Sequence, residues 1–113
     1  MISIKTEEEI EFLRESNLLV GKTLGEIAKH IRPGISTLEL DRIAEEFIRA
    51  HGAEPGFLGY GGFPNCLCIS VNDVVVHGIP SEKCVLMEGD IVSIDCGTLK
   101  NGYYGDSAYT FEV

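Results

Sequence analysis

The residues of this sequence best suited to chemistry are two aspartates, Asp95 and Asp106, within one stretch, DIVSIDCGTLKNGYYGDSAYTF, from position 90 to 111. The first part of the stretch alternates between apolar and polar residues and is rich in Ile and Val. The last part is rich in aromatic residues and is also typical of a strand. Between them, Asn101-Gly102 is a strong signal for a two-residue turn. The stretch is therefore predicted to form a β-hairpin with one aspartate on each strand.

The turn sets the register of this hairpin and hence the relation between the carboxylates. A two-residue turn places Gly97 opposite Asp106 and Asp95 opposite Ala108, which makes the aspartates diagonal neighbours on one face. Carboxylates this close, flanked by Val, Ile and Tyr, are expected to repel and to be poorly solvated, so that one is protonated or a cation lies between them. The alternative is that both face water. Gly97 and Gly105 clear side chains from beside the aspartates, which suits the approach of an ion or a substrate.

A glycine-rich aromatic segment, PGFLGYGGFP, occupies positions 55 to 64 and includes Phe57, Tyr60 and Phe63. Phosphate binding by such glycines needs a following helix, but the strand pattern CLCISV follows here. The large apolar side chains are therefore expected either to cover the core or to line a pocket for an apolar ligand.

His77 ends a predicted strand, Val74 to Val76, beside Gly78 and Pro80, where the chain must turn. This position is well placed to reach a site, although a hydrogen-bonded structural role is the commoner use of a lone histidine. The four cysteines contain no CxxC pair, which favours buried free thiols over a zinc site or disulfides.

Two amphipathic helices are predicted to position these residues. A capping-box signature at Thr6 precedes apolar residues that recur at three- and four-residue steps as far as Ile31, and the helix is expected to stop at Arg32-Pro33-Gly34. Ser36 is expected to open a second helix, which Gly52 closes. The helices carry no evident chemistry and are interpreted as a scaffold for a sheet in an α+β fold.

Length and charge limit the possible functions. The 113 residues are expected to form a single domain, 1–113. The net charge of −9 argues against nucleic acid and anionic membranes as partners. The N-terminus lacks the features of a signal peptide and no apolar run is long enough to span a bilayer, so a cytoplasmic location is expected.

Four motifs, taken together in their order and spacing, resemble the type I methionine aminopeptidases: GYGGFP at 59 to 64, SVNDVVVHGIP at 70 to 80, EGDIVSIDCG at 88 to 97 and YGDSA at 104 to 108. The helical segment that precedes these motifs, with its PGIST turn, also agrees with that family, so the resemblance covers essentially the whole chain. It implies half of a pita-bread fold, in which two helices pack on a curved, mostly antiparallel sheet. It also implies an aminopeptidase that removes N-terminal methionine from peptides and nascent proteins.

The resemblance further implies roles for individual residues in a site with two divalent metal ions, whether Mn, Fe, Co or Zn. Asp95 corresponds to a terminal ligand of one metal and Asp106 to a ligand that bridges both. His77 corresponds to a histidine that hydrogen-bonds the substrate near the scissile amide. The pocket for the methionine side chain is implied to be lined by Phe57, Tyr60, Phe63 and Cys68.

The sequence departs from the family in three places. Val76 stands where many members have Cys and Gly61 where some have His, which bears on fine specificity. The chain ends at Val113, whereas in the family a histidine and two glutamates of the second half complete the metal site. We therefore expect an N-terminal half that is inactive alone, needs a complementary C-terminal half and forms a homo-oligomer by itself. The alternative is a non-catalytic half-fold that self-associates or binds peptide.

Overall fold

A computed structural model, which describes residues 6–58, 65–72 and 78–113, has two helices packed on one face of an antiparallel sheet. The helices are α1 (Glu7–Ala28) and α2 (Thr37–Ala50), and the strands are β1 (Glu54–Pro55), β2 (Leu67–Val71), β3 (Ile91–Lys100) and β4 (Tyr103–Glu112). The predicted α+β architecture is therefore confirmed. No helix in the described part of the chain is long and apolar enough to cross a membrane.

Helix α1 begins at the predicted capping box. The Glu9 amide donates to Thr6 Oγ1 at 3.1 Å, and the Thr6 amide donates to Glu9 Oε1 at 3.0 Å. The helix ends at Ala28, earlier than predicted, because the Ile31 amide bonds the Ala28 carbonyl at 3.4 Å in a tightened last turn. Pro33, which has no amide hydrogen, then prevents further helix. Ile31 still packs against the core, which explains why it matched the apolar pattern.

Helix α2 has the predicted limits. Ser36 Oγ accepts from the Glu39 amide at 3.1 Å and caps the first turn. After the last turn, Gly52 adopts a φ of +74°, a conformation that glycine takes at little cost. The local signals in the sequence therefore fix both ends of this helix.

Strand β3 is the centre of the sheet. It pairs with β4 on one edge, and on the other edge with β2 and β1. Asn101 and Gly102 have φ values of +54° and +79°, as a type I′ turn requires. The predicted hairpin register is confirmed, since Gly97 pairs with Asp106 and Asp95 with Ala108. Strand β2 begins at Leu67, one residue later than predicted, and the predicted strand at 74 to 76 lies outside the described residues.

The core lies between the helices and the inner face of the sheet. From β3 it takes Val92, Ile94 and Cys96, all of which are fully buried. All four cysteines are free; Cys66 and Cys96 are buried, and Cys68 and Cys84 are half-buried. The prediction of free thiols is confirmed, and that of complete burial holds for two of them.

Helix α1 is attached to the hairpin by two hydrogen bonds through Ser16. The Ser16 hydroxyl donates to the Tyr103 carbonyl at 2.9 Å, and Thr98 Oγ1 donates to the Ser16 carbonyl at 2.9 Å. Gly105 lies against the same helical turn, and a Cβ at that position would stand 2.6 Å from the Ser16 carbonyl carbon. The helix is therefore in direct contact with both strands of the hairpin.

The exit of β2 is tied to the entrance of β3. Asn72, with a φ of +54°, donates from Nδ2 to Asp90 Oδ1 at 3.0 Å and accepts from the Ile91 amide at 2.9 Å. Asp90 also accepts from the Met87 amide at 2.8 Å. The hydrogen bonds from Asn72 and Met87 lower the pKa of Asp90. These bonds hold the predicted turn from Met87 to Asp90 against the end of β2.

Candidate functional site

The two aspartates identified in the sequence lie on the face of the sheet that points away from the helices. Asp95 is paired with Ala108 and Asp106 with Gly97, so the aspartates are diagonal neighbours across the two strands, a relation that in antiparallel pairs corresponds to about 7–8 Å. Both side chains are exposed. The expectation of poor solvation was therefore wrong for this chain. Ile94 and Cys96, the neighbours of Asp95, alternate onto the helix-covered face, and Ser107, which follows Asp106, is itself exposed.

Cys68 lies beside Asp95 on the same face. The two residues are direct partners in the pairing of β2 with β3. Burial raises the pKa of the Cys68 thiol, and the negative charge of Asp95 raises it further. The thiol is therefore neutral, and it presents a half-buried, weakly polar surface next to the carboxylate of Asp95.

Gly78 packs tightly against Cys68. Its carbonyl accepts from the Ile69 amide at 2.7 Å, and a Cβ at position 78 would stand 2.6 Å from Cys68 Sγ. The φ of Gly78 is +49°, so both the backbone conformation and the contact favour glycine. The residue that directly follows His77 in the sequence is thus fixed beside the thiol.

Phe57 covers the sheet beside the second carboxylate. The Gly56 amide donates to the Gly97 carbonyl at 2.9 Å, which holds this segment against β3. The Phe57 ring then lies on Gly97, the direct partner of Asp106. The ring fits in this position because Gly97 has no side chain.

A cavity of about 290 Å³ opens at this point. Its lining consists of three glycines, two aromatic residues and one carboxylate: Gly56, Phe57, Gly97, Tyr104, Gly105 and Asp106. The cavity therefore combines an apolar aromatic wall with a charged oxygen donor, as small-ligand sites commonly do. Tyr104 was not among the site residues predicted from the sequence. The available signal was its spacing from Asp106, because residues two positions apart on a strand lie on the same face of a sheet.

The remaining predicted site residues, Tyr60, Phe63 and His77, lie outside the described residues. The structure thus brings together Phe57, Cys68, Asp95 and Asp106. Within the described ranges, no group of three or more His, Cys, Asp or Glu side chains is arranged to hold a metal ion.

The chemistry of the two carboxylates fits a divalent metal. They supply hard oxygen donors on one face, and the place that a side chain at position 97 would take is filled by the Phe57 ring. A pair of carboxylates is only part of a ligand set for such an ion. Asp95 and Asp106 are therefore suited to hold metal together with further ligands.

Asp41 is a polar residue of this region that sequence reasoning missed. It lies on α2, is only 7% exposed, and accepts hydrogen bonds from the start of β2. The available signal was its place on the apolar stripe of the helix, in register with Ala44 and Ile48. A polar residue at such a position needs a buried partner.

Comparison with known proteins places the whole chain in one group. The model of metallopeptidase family M24 matches residues 11–113. Methionine aminopeptidase of Clostridium acetobutylicum is 52% identical over 113 residues, and methionine aminopeptidase 1 of Bacillus subtilis is 54% identical over the same length. In both cases the match covers 100% of this chain and 45% of the relative.

The solved structures agree with the sequence relatives. The methionine aminopeptidases of Thermotoga maritima and Rickettsia prowazekii superimpose with TM-scores of 0.95 and 0.94, at 42% and 41% identity. Each match covers 100% of this chain and 45% of the solved chain. The predicted resemblance and the half pita-bread fold are confirmed, and the chain spans less than half the length of these relatives. The chain belongs to metallopeptidase family M24.

Proposed function

We propose that this chain is the N-terminal half of a metal-dependent aminopeptidase that removes N-terminal methionine from peptides and nascent proteins. The observation that carries the proposal is the pair of diagonal carboxylates, Asp95 and Asp106, on an exposed face beside an apolar cavity. The similarity to methionine aminopeptidases over the full chain supports it. Because nascent proteins are the substrates, we place the activity in the cytoplasm.

In this proposal Asp95 and Asp106 would hold a pair of divalent metal ions, whether Mn, Fe, Co or Zn. When bound, such ions lower the pKa of water and polarise the amide carbonyl, which is the chemistry that peptide hydrolysis requires. Both carboxylates are exposed, so that an ion can reach them directly from solvent. Their fixed pairing in the hairpin holds the backbone positions of the two aspartates at a constant separation.

The substrate side chain is proposed to lie against the apolar parts of the same surface. Phe57 supplies an aromatic wall over Gly97, and Cys68 supplies a neutral, polarisable one beside Asp95. A thioether side chain suits such walls, because it gains dispersion contacts without needing a hydrogen-bond partner. Tyr60 and Phe63 are proposed to complete this pocket, and His77 to hydrogen-bond the substrate near the scissile amide.

A partner is proposed to supply the remaining ligands. A groove of about 550 Å³ lies between α1 and β4, with walls of small and apolar residues: Gly21, Leu24, Gly25, Ala28, Ser107, Tyr109 and Phe111. In the described part of the chain β4 pairs with β3 alone, so its other edge is available. Since the relatives are more than twice as long as the matched part, we assign this groove to a complementary C-terminal half. In the absence of that half, a second copy of the chain is the expected occupant.

The second candidate is a non-catalytic half-fold that self-associates or binds peptide. It is favoured by one observation: the described residues provide two carboxylates at the site and no larger ligand group. The two candidates differ in whether activity appears when the missing half is supplied.

The deciding experiment mixes the chain with a polypeptide that corresponds to the unmatched part of the Bacillus subtilis relative. With Mn²⁺ or Co²⁺, we expect release of methionine from Met-Gly-Met by the mixture and little or none by the chain alone. Asp106→Ala should abolish the activity of the mixture, and Glu82→Gln, an exposed acidic residue of a loop, should leave it unchanged. Full turnover by Asp106→Ala would contradict its metal role. A folded, associated but inactive mixture would favour the non-catalytic candidate. Sedimentation of the chain alone over a range of concentrations tests self-association.

A further inference from the structure

Asp41 is a buried carboxylate for which the proposed chemistry has no use. It lies on α2, is 7% exposed, and has no ion-pair partner among the described residues. A buried carboxylate without a cation is costly unless hydrogen bonds satisfy its oxygens. Its retention in the core therefore needs an explanation.

Three donors from the start of β2 satisfy this carboxylate. The amides of Cys66 and Leu67 donate to Asp41 Oδ1 at 2.9 and 2.8 Å. Asn65 Nδ2 donates to Asp41 Oδ2 at 3.2 Å. Each oxygen of the carboxyl group therefore accepts at least one hydrogen bond, which offsets the cost of burial.

Two of these bonds define the point at which the strand begins. In a regular strand, successive amides point to opposite edges. Here the consecutive amides of Cys66 and Leu67 converge on one oxygen, so the backbone departs from strand geometry at this point. Asp41 therefore fixes the residue at which β2 enters the sheet.

The start of β2 determines which of its side chains faces the candidate site. Cys68 is the partner of Asp95, and its neighbours Leu67 and Ile69 are buried on the other face. Because side chains alternate, a slip of one residue would bury Cys68 and place a leucine or isoleucine beside Asp95. The position of the thiol thus depends on where the strand begins.

We propose that Asp41 is a positioning residue of the candidate site: it fixes the start of β2 from helix α2 and thereby holds Cys68 beside Asp95, where the side chain of the substrate's first residue binds. The effect on substrate rests on the proposed function. The effect on the position of Cys68 does not.

The test compares three variants. Asp41→Ala removes all acceptors, whereas Asp41→Asn keeps one carbonyl oxygen for the two backbone amides. Ile48→Ala is the control, since Ile48 is fully buried on the same helix and makes no hydrogen bond to β2. It weakens the core and leaves the hydrogen bonds at the start of the strand in place.

The first measurement uses this chain alone and needs no activity. In Asp41→Ala, we expect the untethered start of β2 to open locally rather than to adopt the slipped register, so that amide exchange at Cys66 and Leu67, and alkylation of the half-buried Cys68 by iodoacetamide, accelerate about tenfold relative to amides of the β3–β4 hairpin. Asp41→Asn should recover most of the wild-type rates. Ile48→Ala should change strand and hairpin amides together. Equal changes at all amides in Asp41→Ala would reduce Asp41 to a general stabilising residue and overturn the proposal.

The second measurement uses the chain with its complementary half and Met-Gly-Met. We expect Asp41→Ala to raise KM about fivefold with kcat changed less than about twofold, and Ile48→Ala to leave KM unchanged. An unchanged KM in an active Asp41→Ala mixture would overturn the link to substrate binding. If the wild-type mixture releases no methionine, the proposed function fails, and the exchange and alkylation rates still decide whether Asp41 positions Cys68.

Discussion

The Phe57 ring lies on the backbone of Gly97 so closely that a Cβ at position 97 would stand 2.9 Å from Phe57 Cε1 and 3.1 Å from Cδ1. Gly97 is the direct partner of Asp106 and is two residues from Asp95. The ring therefore covers the strand at a residue that adjoins both carboxylates. The shape of the cavity depends on this contact, because both residues line it.

Gly97→Ala is expected to displace the Phe57 ring and to destabilise the chain by about 1–3 kcal/mol, the usual cost of inserting a methyl group into a packed contact. The backbone of Gly97 lies outside the positive-φ region, so no strain of the main chain is involved. Urea unfolding of Gly97→Ala, Phe57→Leu and the double variant measures the coupling. We expect the double variant to be more stable than the sum of the single effects predicts. Strict additivity would show that the two residues do not interact.

Gly105→Ala is expected to be more harmful, with a loss of about 3 kcal/mol or more. Its Cβ would stand 2.6 and 2.7 Å from the carbonyl carbon and oxygen of Ser16, and these backbone atoms have little freedom to move. Gly21→Ala is the matched control, since a Cβ there meets nothing within 4 Å. It should stabilise α1 by about 0.5–1 kcal/mol. Similar unfolding midpoints for the two variants would contradict the close packing of α1 on β4.

Mn²⁺ or Co²⁺ is expected to raise the thermal midpoint of the chain modestly, because two carboxylates bind a divalent ion far more weakly than a complete site does. Asp95→Asn should abolish the rise, since it removes one of the two ionised ligands. Glu82→Gln makes the same change of charge on an exposed loop and should preserve it. An equal rise in Asp95→Asn would mean that the ion binds elsewhere.

Stability is expected to fall with increasing pH above about 9. Burial raises the pKa of Cys96 from 9.0 to about 12, and the charge of Asp41 contributes to the increase. Over this interval the unfolded thiol ionises while the folded thiol stays protonated, so stability present below pH 9 is lost as the pH rises towards 12. Urea midpoints at pH 7, 9, 10 and 11 should fall more steeply for the wild type than for Cys96→Ala. Parallel curves would exclude a contribution from Cys96.

The hairpin and its register were predictable because they depend on neighbouring residues. Asn101 and Gly102 accept positive φ values, and the two-residue turn then pairs Asp95 with Ala108. The end of α1 was not predicted, since Ile31 packs on the core from outside the helix and so extends the apolar pattern.

The contacts made across the fold were not predictable from local pattern. The partners of Asp41 lie more than twenty positions away, at the start of β2, so the sequence shows only a polar residue in an apolar stripe. The exposure of Asp95 depends on which face of the sheet the helices cover. The contact of Phe57 with Gly97 likewise joins residues that are brought together only by the pairing of Gly56 with β3.

The two hydrogen bonds of Ser16 have a mechanical consequence for the candidate metal site. They join α1 to Thr98 on one strand of the hairpin and to Tyr103 on the other. The strands therefore resist sliding past each other, because such shear would break the attachment of one strand or the other to the helix. The spacing of Asp95 and Asp106 is accordingly maintained by contacts on the opposite, helix-covered face of the sheet. A substitution at Ser16, which contacts neither aspartate, is therefore expected to loosen the spacing of the two carboxylates.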